Sequence, residues 1–336
     1  MISPLTKVSV IIVNWNTSRE LERCLRSFES FSGLHDASVV VVDNASDDGS
    51  AAMVQSGFPR VSLVRNERNL GFAAGVNIGL SQTVTPYALI LNPDIVLREE
   101  VLGKMVEVLE SSLDVAACAP VLVDDSGERQ AGYFRRLPSL GQISLFYTIL
   151  ASWSERSAWM RNRWLEFPFE GSKPVIEVDQ IPGACLMVRR SVVDAVGMMD
   201  EQFFLFFEDV DWCCRMRRAG WKLKVLNDVS LRHSGGRSFR VTGNEWMVSR
   251  FLLSLNIFMD KHASFPVRIL TKCVTVGNSV LILCARTLQR ILKAGDIEGA
   301  RSSILRQRTF LKFFRAHYGK NQLSLTRNWT EPRGPV

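Results

Sequence analysis

The sequence predicts an α/β protein whose mainly parallel sheet is flanked by helices and followed by a helical, basic C-terminal extension. Three observations support this prediction. The 336 residues are 46% hydrophobic, which is enough for a sizeable core, and short β-branched runs alternate with segments of helical period through about residue 120. Polar residues follow most of those runs. Strands that alternate with helices form parallel sheets, which bind ligands at the carboxyl ends of their strands.

The first predicted strand is residues 8–13, which are apolar on both faces, as in a buried parallel strand. A helix follows it, because apolar residues recur at i, i+3, i+4 and i+7 in Leu21, Cys24, Leu25 and Phe28. Thr17 and Glu20 have the spacing of a capping box, so they predict the start of this helix.

The next elements repeat this order. Strands are predicted at residues 39–42, 61–64, 87–91 and 115–119, and helices at residues 72–80 and 99–112. Polar residues follow four strands: Asn14, Asn16, Asp43, Asn44, Asn69, Asn92 and Asp94. Because carboxyl ends of parallel strands meet at one edge, these side chains indicate one shared crevice. The alternative is that they are ordinary turn and cap residues.

The regular pattern is lost at residues 124–173, which predicts an irregular, substrate-shaping insertion or a flexible loop. Order returns at residues 178–188, where Gly183 lets another backbone approach closely. We place a domain boundary at residue 242. Residues 1–242 then form the sheet domain, and residues 243–336 form the helical, basic region.

Charge is concentrated near the C-terminus. Residues 266–336 hold 13 Lys and Arg against 3 Asp and Glu, in a chain of net charge +7. This excess predicts an anionic partner, and we expect a membrane surface. The basic residues concerned are Arg286, Arg290, Lys293, Arg301, Arg306, Arg308, Lys312 and Arg315. The alternative is a basic helical bundle without a partner. No nucleic acid is expected, because no recognised nucleic-acid module accompanies the charge.

The expected location is the cytoplasm, either free or peripheral on the inner face of the cytoplasmic membrane. No signal-peptide pattern opens the chain, and no C-x-x-C pair occurs among seven cysteines. The apolar run at residues 273–285 is 13 residues long, too short to span a bilayer but long enough to lie in its interface.

Two common cofactor motifs are missing. Gly71, Gly75 and Gly79 recur every four residues, instead of as the G-x-G-x-x-G of dinucleotide-binding proteins, and no P-loop is found. The spacing predicts a small-residue helix face for close packing. Asp43 is placed to accept the imide N–H of a pyrimidine, and Asp94 is placed to hold a divalent cation against a pyrophosphate. A nucleotide-sugar satisfies both.

Seven blocks in order resemble one family. They are VSVIIVNWN, VVVVDNASDDGS, RNERNLGFAAGVNIG, LILNPDI, GACLMVRR, FFEDVDWCCRMRRAGW and RHSGGRS. Their order and spacing are similar to those of family 2 inverting glycosyltransferases of the GT-A fold, and most similar to bacterial rhamnosyltransferases. The resemblance covers about residues 7–240.

The resemblance implies donor-binding residues on the sheet. Asp43 would read the base beside Asn14 and Asn16, and Asn69, Gly71 and Asn77 would line the ribose and diphosphate. Asp94 would bind Mg²⁺ or Mn²⁺, and His233 would be a further ligand or would contact the leaving diphosphate. The family's D-x-D is Asn92-Pro93-Asp94 here, which removes one carboxylate from the metal site.

The resemblance also assigns the acids that follow the phenylalanine run at residues 203–207. Asp209 would be the general base that takes the acceptor hydroxyl's proton. Burial among the aromatic rings and repulsion from Glu208 would both raise its basicity, and the rings would keep water from the reaction. The alternative, which we favour for Asp211, is that these acids only cap a helix N-terminus.

The function expected is inverting sugar transfer in cell-surface polysaccharide synthesis. The donor is L-rhamnose carried by dTDP, or a UDP-sugar, and the acceptor is a glycan or a polyprenyl-linked molecule. Two alternatives remain open at this point: a sugar-nucleotidyltransferase, and a non-catalytic glycan- or membrane-binding scaffold that descends from a transferase.

Overall fold

The computed structural model describes residues 4–29, 38–130, 136–154, 156–165, 173–233, 244–291 and 297–318. Within these residues the strands are β1 (Val8–Asn14), β2 (Ser38–Asp43), β3 (Ser62–Arg65), β4 (Tyr87–Leu91), β5 (Val115–Val123), β6 (Val175–Glu177), β7 (Cys185–Arg189) and β8 (Lys222–Arg232). The α-helices are α1 (Ser18–Phe28), α2 (Ser50–Gly57), α3 (Phe72–Ser81), α4 (Glu99–Ser111), α5 (Leu140–Phe146), α6 (Ala151–Ser154), α7 (Ala158–Met160), α8 (Arg190–Val196), α9 (Glu208–Arg218), α10 (Asn244–His262), α11 (Phe265–Ile291) and α12 (Ile297–Tyr318).

The strands form one sheet in the order β3-β2-β1-β4-β7-β5-β8-β6. β1 pairs in parallel with β2 and β4, β2 with β3, and β5 with β8. β7 is antiparallel to β4 and β5, and β6 is antiparallel to β8. The sheet is therefore mainly parallel, as predicted, with β1 and β4 buried along their whole length.

Helix α3 approaches β1 closely because it presents glycine to the sheet. A Cβ on Gly75 would lie 2.6 Å from Val13 Cγ1, and one on Gly79 would collide with the side chain of Ile11. The predicted small-residue face is confirmed. Its close packing sets the distance between α3 and the sheet edge.

The predicted capping box at the start of α1 is wrong. Thr17 is the N-cap residue, but its side chain accepts no hydrogen bond from the helix. The Thr17 hydroxyl instead donates to Asn14 Oδ1 at 2.7 Å. A hydrogen-bond partner from the preceding strand competes with the helix N–H groups for this side chain.

The chain divides into two compact units. The first comprises Met1–Leu137, Glu166–Phe204 and Glu208–Arg237, and contains the sheet. The second comprises Pro138–Leu165, Leu205–Phe207 and Ser238–Val336. The predicted boundary at residue 242 stays a prediction, because residues 234–243 lie outside the described residues.

The segment predicted to be irregular differs from that expectation in its central part. It contains α5, α6, α7 and a π-helical turn at Arg161–Leu165. Helix α5 starts with a capping box in which Ser139 and Gln142 exchange hydrogen bonds. These helices are too short for a periodic apolar pattern to predict them. They also belong to the second unit, with the C-terminal helices.

In the second unit, α10, α11 and α12 pack against one another, and α5 packs against α11. One helix within the described part of the chain, over Phe265–Gln289, is long and apolar enough to cross a membrane. The sequence-based expectation limited this apolar segment to residues 273–285, but the helix continues in both directions.

Candidate active site

Several predicted site residues meet at the carboxyl edge of the sheet. Asn14, the last residue of β1, pairs with Asp43, the last residue of β2. Leu91 at the end of β4 pairs with Ile12 of β1, so Asn92 leaves the sheet at the same edge. The antiparallel β7 begins there, and the backbone N–H of Asn92 donates to the Ala184 carbonyl at 2.8 Å.

Asp43 is buried and accepts three hydrogen bonds from its own chain. Asn14 Nδ2 donates to Oδ1 at 2.8 Å, the Ser46 hydroxyl donates to Oδ1 at 2.6 Å, and the Ser46 backbone N–H donates to Oδ2 at 3.0 Å. Its exposure is 2%. These bonds fix the turn after β2, and Oδ2 has one remaining lone-pair direction for a base N–H.

Asn16 belongs to the same network. Its backbone has φ of 52°, in the left-handed region that Asn tolerates. Its N–H donates to Ser46 Oγ at 3.0 Å, and its Oδ1 accepts from the Asp47 N–H at 2.9 Å. The turns after β1 and β2 are thus joined by side chains that sequence reasoning assigned to a ligand.

Gly71 lies where three chain segments meet. Its carbonyl accepts from Asn44 Nδ2 at 3.0 Å, and its N–H donates to Asn69 Oδ1 at 2.9 Å. It has φ of 90°, and a Cβ there would lie 2.5 Å from the Phe204 carbonyl oxygen. That carbonyl also accepts from the Phe72 N–H at 2.8 Å. Only glycine fits this position.

The side-chain amide of Asn77 is hydrogen-bonded to the protein itself. Its Nδ2 donates to the Met199 carbonyl at 2.8 Å and to Glu201 Oε1 at 2.9 Å, while its Oδ1 accepts from the Met199 N–H at 3.0 Å. Both amide hydrogens are used, and the residue is buried. Asn77 therefore ties α3 to the segment before α9, and its assignment to the donor stays a prediction.

Asp94 and His233 lie side by side, although they are far apart in the sequence. Asp94 Oδ1 is 3.3 Å from His233 Nε2 and is buried without a hydrogen-bond partner among the described residues. Gln130 contacts His233 twice, since its Nε2 donates to the His233 carbonyl and its Oε1 lies 2.9 Å from Nδ1. With its hydrogen on Nδ1, the imidazole presents the Nε2 lone pair to Asp94.

These two atoms fit a divalent cation. An oxygen and a nitrogen lone pair that face each other at 3.3 Å repel unless a proton or a metal lies between them. The Asn92 amide nitrogen is 3.4 Å from the same Nε2. Among the described residues, no group of three or more His, Cys, Asp and Glu side chains surrounds one point. A bound cation would thus need ligands from the substrate and water.

Asp209 is partly buried in the first turn of α9, with two backbone N–H groups on its carboxylate. The Gly183 N–H donates to Oδ2 at 2.8 Å, and the Val210 N–H donates to Oδ1 at 2.8 Å. Burial raises the pKa of Asp209, and these two hydrogen bonds oppose the rise. Burial thus acts on the pKa of Asp209 in the predicted direction, whereas the predicted repulsion from Glu208 is not among the causes of the rise.

Glu208 is buried more deeply, with 5% exposure, and in the described part of the chain its Oε2 has no hydrogen-bond partner. Burial, and then repulsion from Asp209, raise the pKa of Glu208 well above its usual value. The repulsion between the two acids therefore favours a proton on Glu208. A neutral Glu208 leaves the charge of the pair on Asp209.

The peptide at Gly183 and Ala184 connects the two chemical groups. Gly183 donates to Asp209, and Ala184 accepts from Asn92, two residues before Asp94. A Cβ on Gly183 would lie 3.4 Å from Asp209 Cβ and 3.1 Å from the Phe72 ring. The sequence indicated that Gly183 permits a close approach, but nothing in it indicated that Asp209 is the residue that approaches.

The phenylalanine run has contacts other than those expected. Phe206 and Phe207 both have φ of 68°, a rare conformation for bulky residues. Their rings pack 5.6 Å and 5.1 Å from the ring of Phe251, within the second unit. Phe204 lies on Gly71, as described above. The strained pair precedes Glu208 directly in the chain.

A comparison with protein families identifies the chain. The model described as glycosyl transferase family 2 matches residues 9–197. The chain belongs to this family. It is a glycosyltransferase, and family membership confirms the resemblance stated on sequence blocks and argues against the nucleotidyltransferase alternative.

Curated relatives of this glycosyltransferase include rhamnosyltransferases. The N-acetylglucosaminyl-diphospho-decaprenol L-rhamnosyltransferase of Mycobacterium tuberculosis is 28% identical over 240 residues, which cover 68% of this chain and 76% of the relative. Rhamnosyltransferase WbbL of Escherichia coli is 23% identical over 182 residues, which cover 52% of this chain and 65% of the relative.

A solved structure supports the fold. The mannosyltransferase PcManGT from Pyrobaculum calidifontis, solved in complex with GDP-Man and Mn²⁺, superposes with a TM-score of 0.53 at 15% identity. The match covers 94% of this chain and 88% of that chain. The glycosyltransferase therefore has the predicted GT-A-like fold.

Proposed function

We propose that this glycosyltransferase moves a sugar from a nucleoside-diphosphate donor to a glycan or polyprenyl-linked acceptor, with inversion at the anomeric carbon. L-rhamnose from dTDP-L-rhamnose is the donor we favour, and a UDP-sugar is the second choice. The named activities of the relatives support rhamnose, and the decaprenol-linked substrate in one relative's name supports a lipid-linked acceptor.

The observation that carries the proposal is the carboxylate of Asp209. Inversion requires a base that takes the acceptor hydroxyl's proton while the oxygen attacks opposite the leaving diphosphate. The Gly183 and Val210 N–H groups hold both carboxylate oxygens in place, and each oxygen keeps a lone pair for that proton. Burial raises the pKa of Asp209, which strengthens it as a base.

Glu208 supports Asp209 as a positioning residue in this proposal. Burial raises the pKa of Glu208 well above its usual value, so in this proposal the pair carries its proton on Glu208 and its charge on Asp209. Two adjacent charges in the first turn of α9 would repel, and the neutral neighbour avoids this cost. The partial positive charge at the helix N-terminus favours the remaining carboxylate.

The donor would lie along the carboxyl edge of β1, β2 and β4. Asp43, with Asn14 and Asn16 behind it, would contact the base, and the turn at Asn69 and Gly71 would follow the ribose and diphosphate. The burial of Asp43 limits it to one further hydrogen bond, so we expect selection for a base with a suitably placed N–H.

Asp94 and His233 would hold a divalent cation, with Asn92 beside them. Mn²⁺ fits this pair better than Mg²⁺, because Mg²⁺ strongly prefers oxygen ligands. When bound, such a cation supplies positive charge against the leaving diphosphate. The Mn²⁺ that accompanies GDP-Man in the PcManGT complex supports this choice. Asn92 in place of an acid lowers the expected affinity.

Attachment to a membrane would bring a lipid-linked acceptor to the enzyme. We propose that the basic C-terminal residues bind the anionic cytoplasmic face of the membrane, where each contributes about 1 kcal/mol. Arg286, Arg301, Arg308, Lys312 and Arg315 are exposed in the structure. Lys293 lies outside the described residues.

The test is a donor panel. The purified protein is incubated with dTDP-L-rhamnose, UDP-sugars and GDP-mannose, each with a polyprenyl-diphosphate-linked acceptor and with Mn²⁺ or EDTA. We expect transfer from one deoxysugar or UDP donor, with NMR showing the inverted anomer. A retained configuration would contradict the mechanism. Pyrophosphate release from a nucleoside triphosphate and a sugar 1-phosphate, without transfer, would favour the nucleotidyltransferase.

A further inference from the structure

Helix α11 is built with its polar side inward. Thr271, Thr275 and Ser279 recur every four residues and are buried, with exposures of 0% to 1%. The large apolar side chains on the same helix are exposed: Phe265, Ile269, Leu270, Val280, Leu281 and Leu288. An amphipathic helix on a water-soluble protein has the opposite arrangement.

Two of the three buried hydroxyls, those of Thr275 and Ser279, are hydrogen-bonded within the helical unit, and Thr271 Oγ1 has no hydrogen-bond partner among the described residues. Asn256 Nδ2 of α10 donates to Thr275 Oγ1 at 3.1 Å, and Ser279 Oγ donates to the Thr275 carbonyl at 2.8 Å. Small hydroxyl residues that join helices, with large apolar residues outside, are typical of helices that face lipid hydrocarbon. In water, the exposed side chains would contribute nothing to stability.

The exposed apolar side chains share one side of the helix. At 3.6 residues per turn, the six of them occupy an arc of about 160°. The cations of the helix lie elsewhere: Lys272 pairs with Asp260 at 2.8 Å, and Arg268 donates to the Asp260 carbonyl at 3.1 Å. Arg286 is exposed near the C-terminal end of the helix, where its long side chain can reach a lipid phosphate.

A second segment extends this surface. The Ile149 N–H donates to Asn278 Oδ1 of α11 at 2.8 Å, which holds the turn between α5 and α6 beside the helix. Ile149 and Leu150 are exposed, and so is Trp153 in α6, with 59% exposure. Tryptophan is enriched at the membrane interface, because its ring is apolar and its N–H is polar.

The neighbouring helix decides how deep α11 can lie. Helix α12 packs against α11 and carries four exposed cations: Arg301, Arg308, Lys312 and Arg315. A spanning α11 would take this helix into hydrocarbon, where a charged side chain is strongly unfavourable. A helix that lies in the interface plane leaves those cations in water or among head groups.

We propose that the outer face of α11, together with the Ile149 to Trp153 segment, lies in the interfacial layer of an anionic bilayer with the helix axis parallel to the membrane plane. The membrane attachment proposed above was electrostatic, and this inference adds a hydrocarbon-facing surface to it. It does not depend on catalysis, so its failure leaves the transfer mechanism untouched.

The first test is vesicle flotation of the full chain. Binding to phosphatidylcholine vesicles with a phosphatidylglycerol fraction should persist at about 0.5 M NaCl, where purely electrostatic binding is screened. Ile269→Glu with Leu281→Glu should lower the partition coefficient at least tenfold, roughly what losing two or more buried methylenes predicts. Leu113→Glu, at an exposed leucine of the first unit, should bind like the parent.

Two outcomes of this test would overturn the proposal. One is flotation of the Glu variants equal to that of the parent chain. The other is a lipid-free dimer that the Glu variants dissociate while their vesicle binding is unchanged, which would mean that a second copy covers this face. Sedimentation velocity without lipid measures the dimer. Circular dichroism confirms that the variants fold.

The second test measures depth with native thiols. Cys273 and Cys284 are exposed on α11, whereas the other five cysteines are buried. They are eleven residues apart, so they lie on the same helix face about 16 Å from each other. Cys273→Ser and Cys284→Ser each leave one exposed thiol for an NBD fluorophore, and brominated lipids report its depth.

A helix in the membrane plane predicts blue-shifted NBD emission at both positions and equal quenching depths. A spanning helix, centred near residue 277, would place the two thiols on opposite sides of the bilayer midplane, about 6 Å and 10 Å from it, so deep quenching at both positions, near the centre of the hydrocarbon, would overturn the in-plane arrangement. Unshifted emission at both positions in the presence of vesicles would overturn the lipid contact altogether. Both measurements use the protein without donor or acceptor.

Discussion

The two halves of the sheet's carboxyl edge differ in how many hydrogen bonds the chain supplies to their polar side chains. At the ends of β1 and β2, Asp43 accepts three hydrogen bonds from its own chain, and Asn14 and Asn16 complete the network. Beyond β4, Asp94 Oδ1 is buried, accepts no hydrogen bond from the described residues and lies 3.3 Å from His233 Nε2. Asp43 is the last residue of β2, and Asp94 follows β4 in the same mainly parallel sheet.

We call the ends of β1 and β2 the closed half of the edge, because the chain itself supplies hydrogen bonds to their polar side chains. We call the region beyond β4 the open half, because polar atoms there lack hydrogen-bond partners among the described residues. A closed network keeps its geometry without a ligand, so the first half can present a fixed shape to a base. The open atoms of the second half gain partners only when substrate or cation binds. Asp209 and Glu208 belong with this second half, because Asp209 keeps free lone pairs and Glu208 Oε2 has no partner.

The largest effect is expected at the open half. Asp94→Asn keeps the shape but removes the charge that faces His233, so transfer should fall about 100-fold or more, as loss of a cation site predicts. The melting temperature should stay close to that of the parent. Steady-state transfer at several Mn²⁺ concentrations measures this. If the transfer rate and its dependence on Mn²⁺ were unchanged, Asp94 would not be a ligand of a catalytic cation.

At the closed half, the effect should be on stability. Asp43→Asn turns one acceptor into a donor facing Asn14 Nδ2 or the Ser46 N–H, so the free energy of unfolding should fall by about 2 to 3 kcal/mol. Urea unfolding measures this. If the variant were as stable as the parent but no longer bound nucleotide, Asp43 would serve the ligand and not the fold. The contrast between Asp43 and Asp94 would then be wrong.

Glu208 tests the open half through pH. Its folded-state pKa is raised well above the ordinary 4.5, so the folded state binds the proton more tightly than the unfolded state. Its stabilising contribution is therefore present below pH 4.5 and is lost as pH rises through the folded pKa. Glu208→Gln removes this loss of stability at high pH, because glutamine cannot ionise. Its melting temperature should exceed the parent's at alkaline pH, with a gap that closes as the pH falls towards the ordinary pKa.

A gap that stays constant with pH would mean that Glu208 has the same pKa in both states. Asp200→Asn is a matched control, because Asp200 is an acid of the same unit that is only half-buried. The gap that Glu208→Gln produces at alkaline pH should be larger than any change that Asp200→Asn produces.

The smallest effect is expected at Thr17, whose hydroxyl donates to Asn14 behind Asp43. Thr17→Val removes this hydrogen bond at constant shape and should cost about 1 kcal/mol. Thr17→Ser keeps the hydroxyl and should cost less. If both variants lost equal stability, the hydroxyl would have no part in the closed network.

Much of the fold was predictable from sequence, because it depends on local patterns. Apolar β-branched runs indicated β1, β2 and β4, and the glycines of α3 indicated its close approach to the sheet. The helices of the second unit between residues 140 and 165 were not predictable in this way. They are short, and their positions depend on contacts with helices far along the chain, such as Ile149 with Asn278.

The residues of the candidate site were predictable from the sequence, but their hydrogen-bond partners were not. Sequence placed Asp43 and Asp94 at one edge, and the family resemblance added Asp209 and His233. Nothing local indicated that Gln130 orients His233, or that Gly183 donates to Asp209, because these contacts join distant segments. Asn77 looked like a donor residue, yet its amide is occupied by Met199 and Glu201.

The most direct test of the central claim is single-turnover sugar transfer by Asp209→Asn, with Glu208→Gln as the matched control. We predict transfer slower by about 10²- to 10⁴-fold for Asp209→Asn, which is the usual contribution of a general base, donor affinity within about threefold of the parent, and a much smaller loss for Glu208→Gln. Transfer that falls less than about tenfold, or falls only as far as donor binding does, would contradict Asp209 as the base.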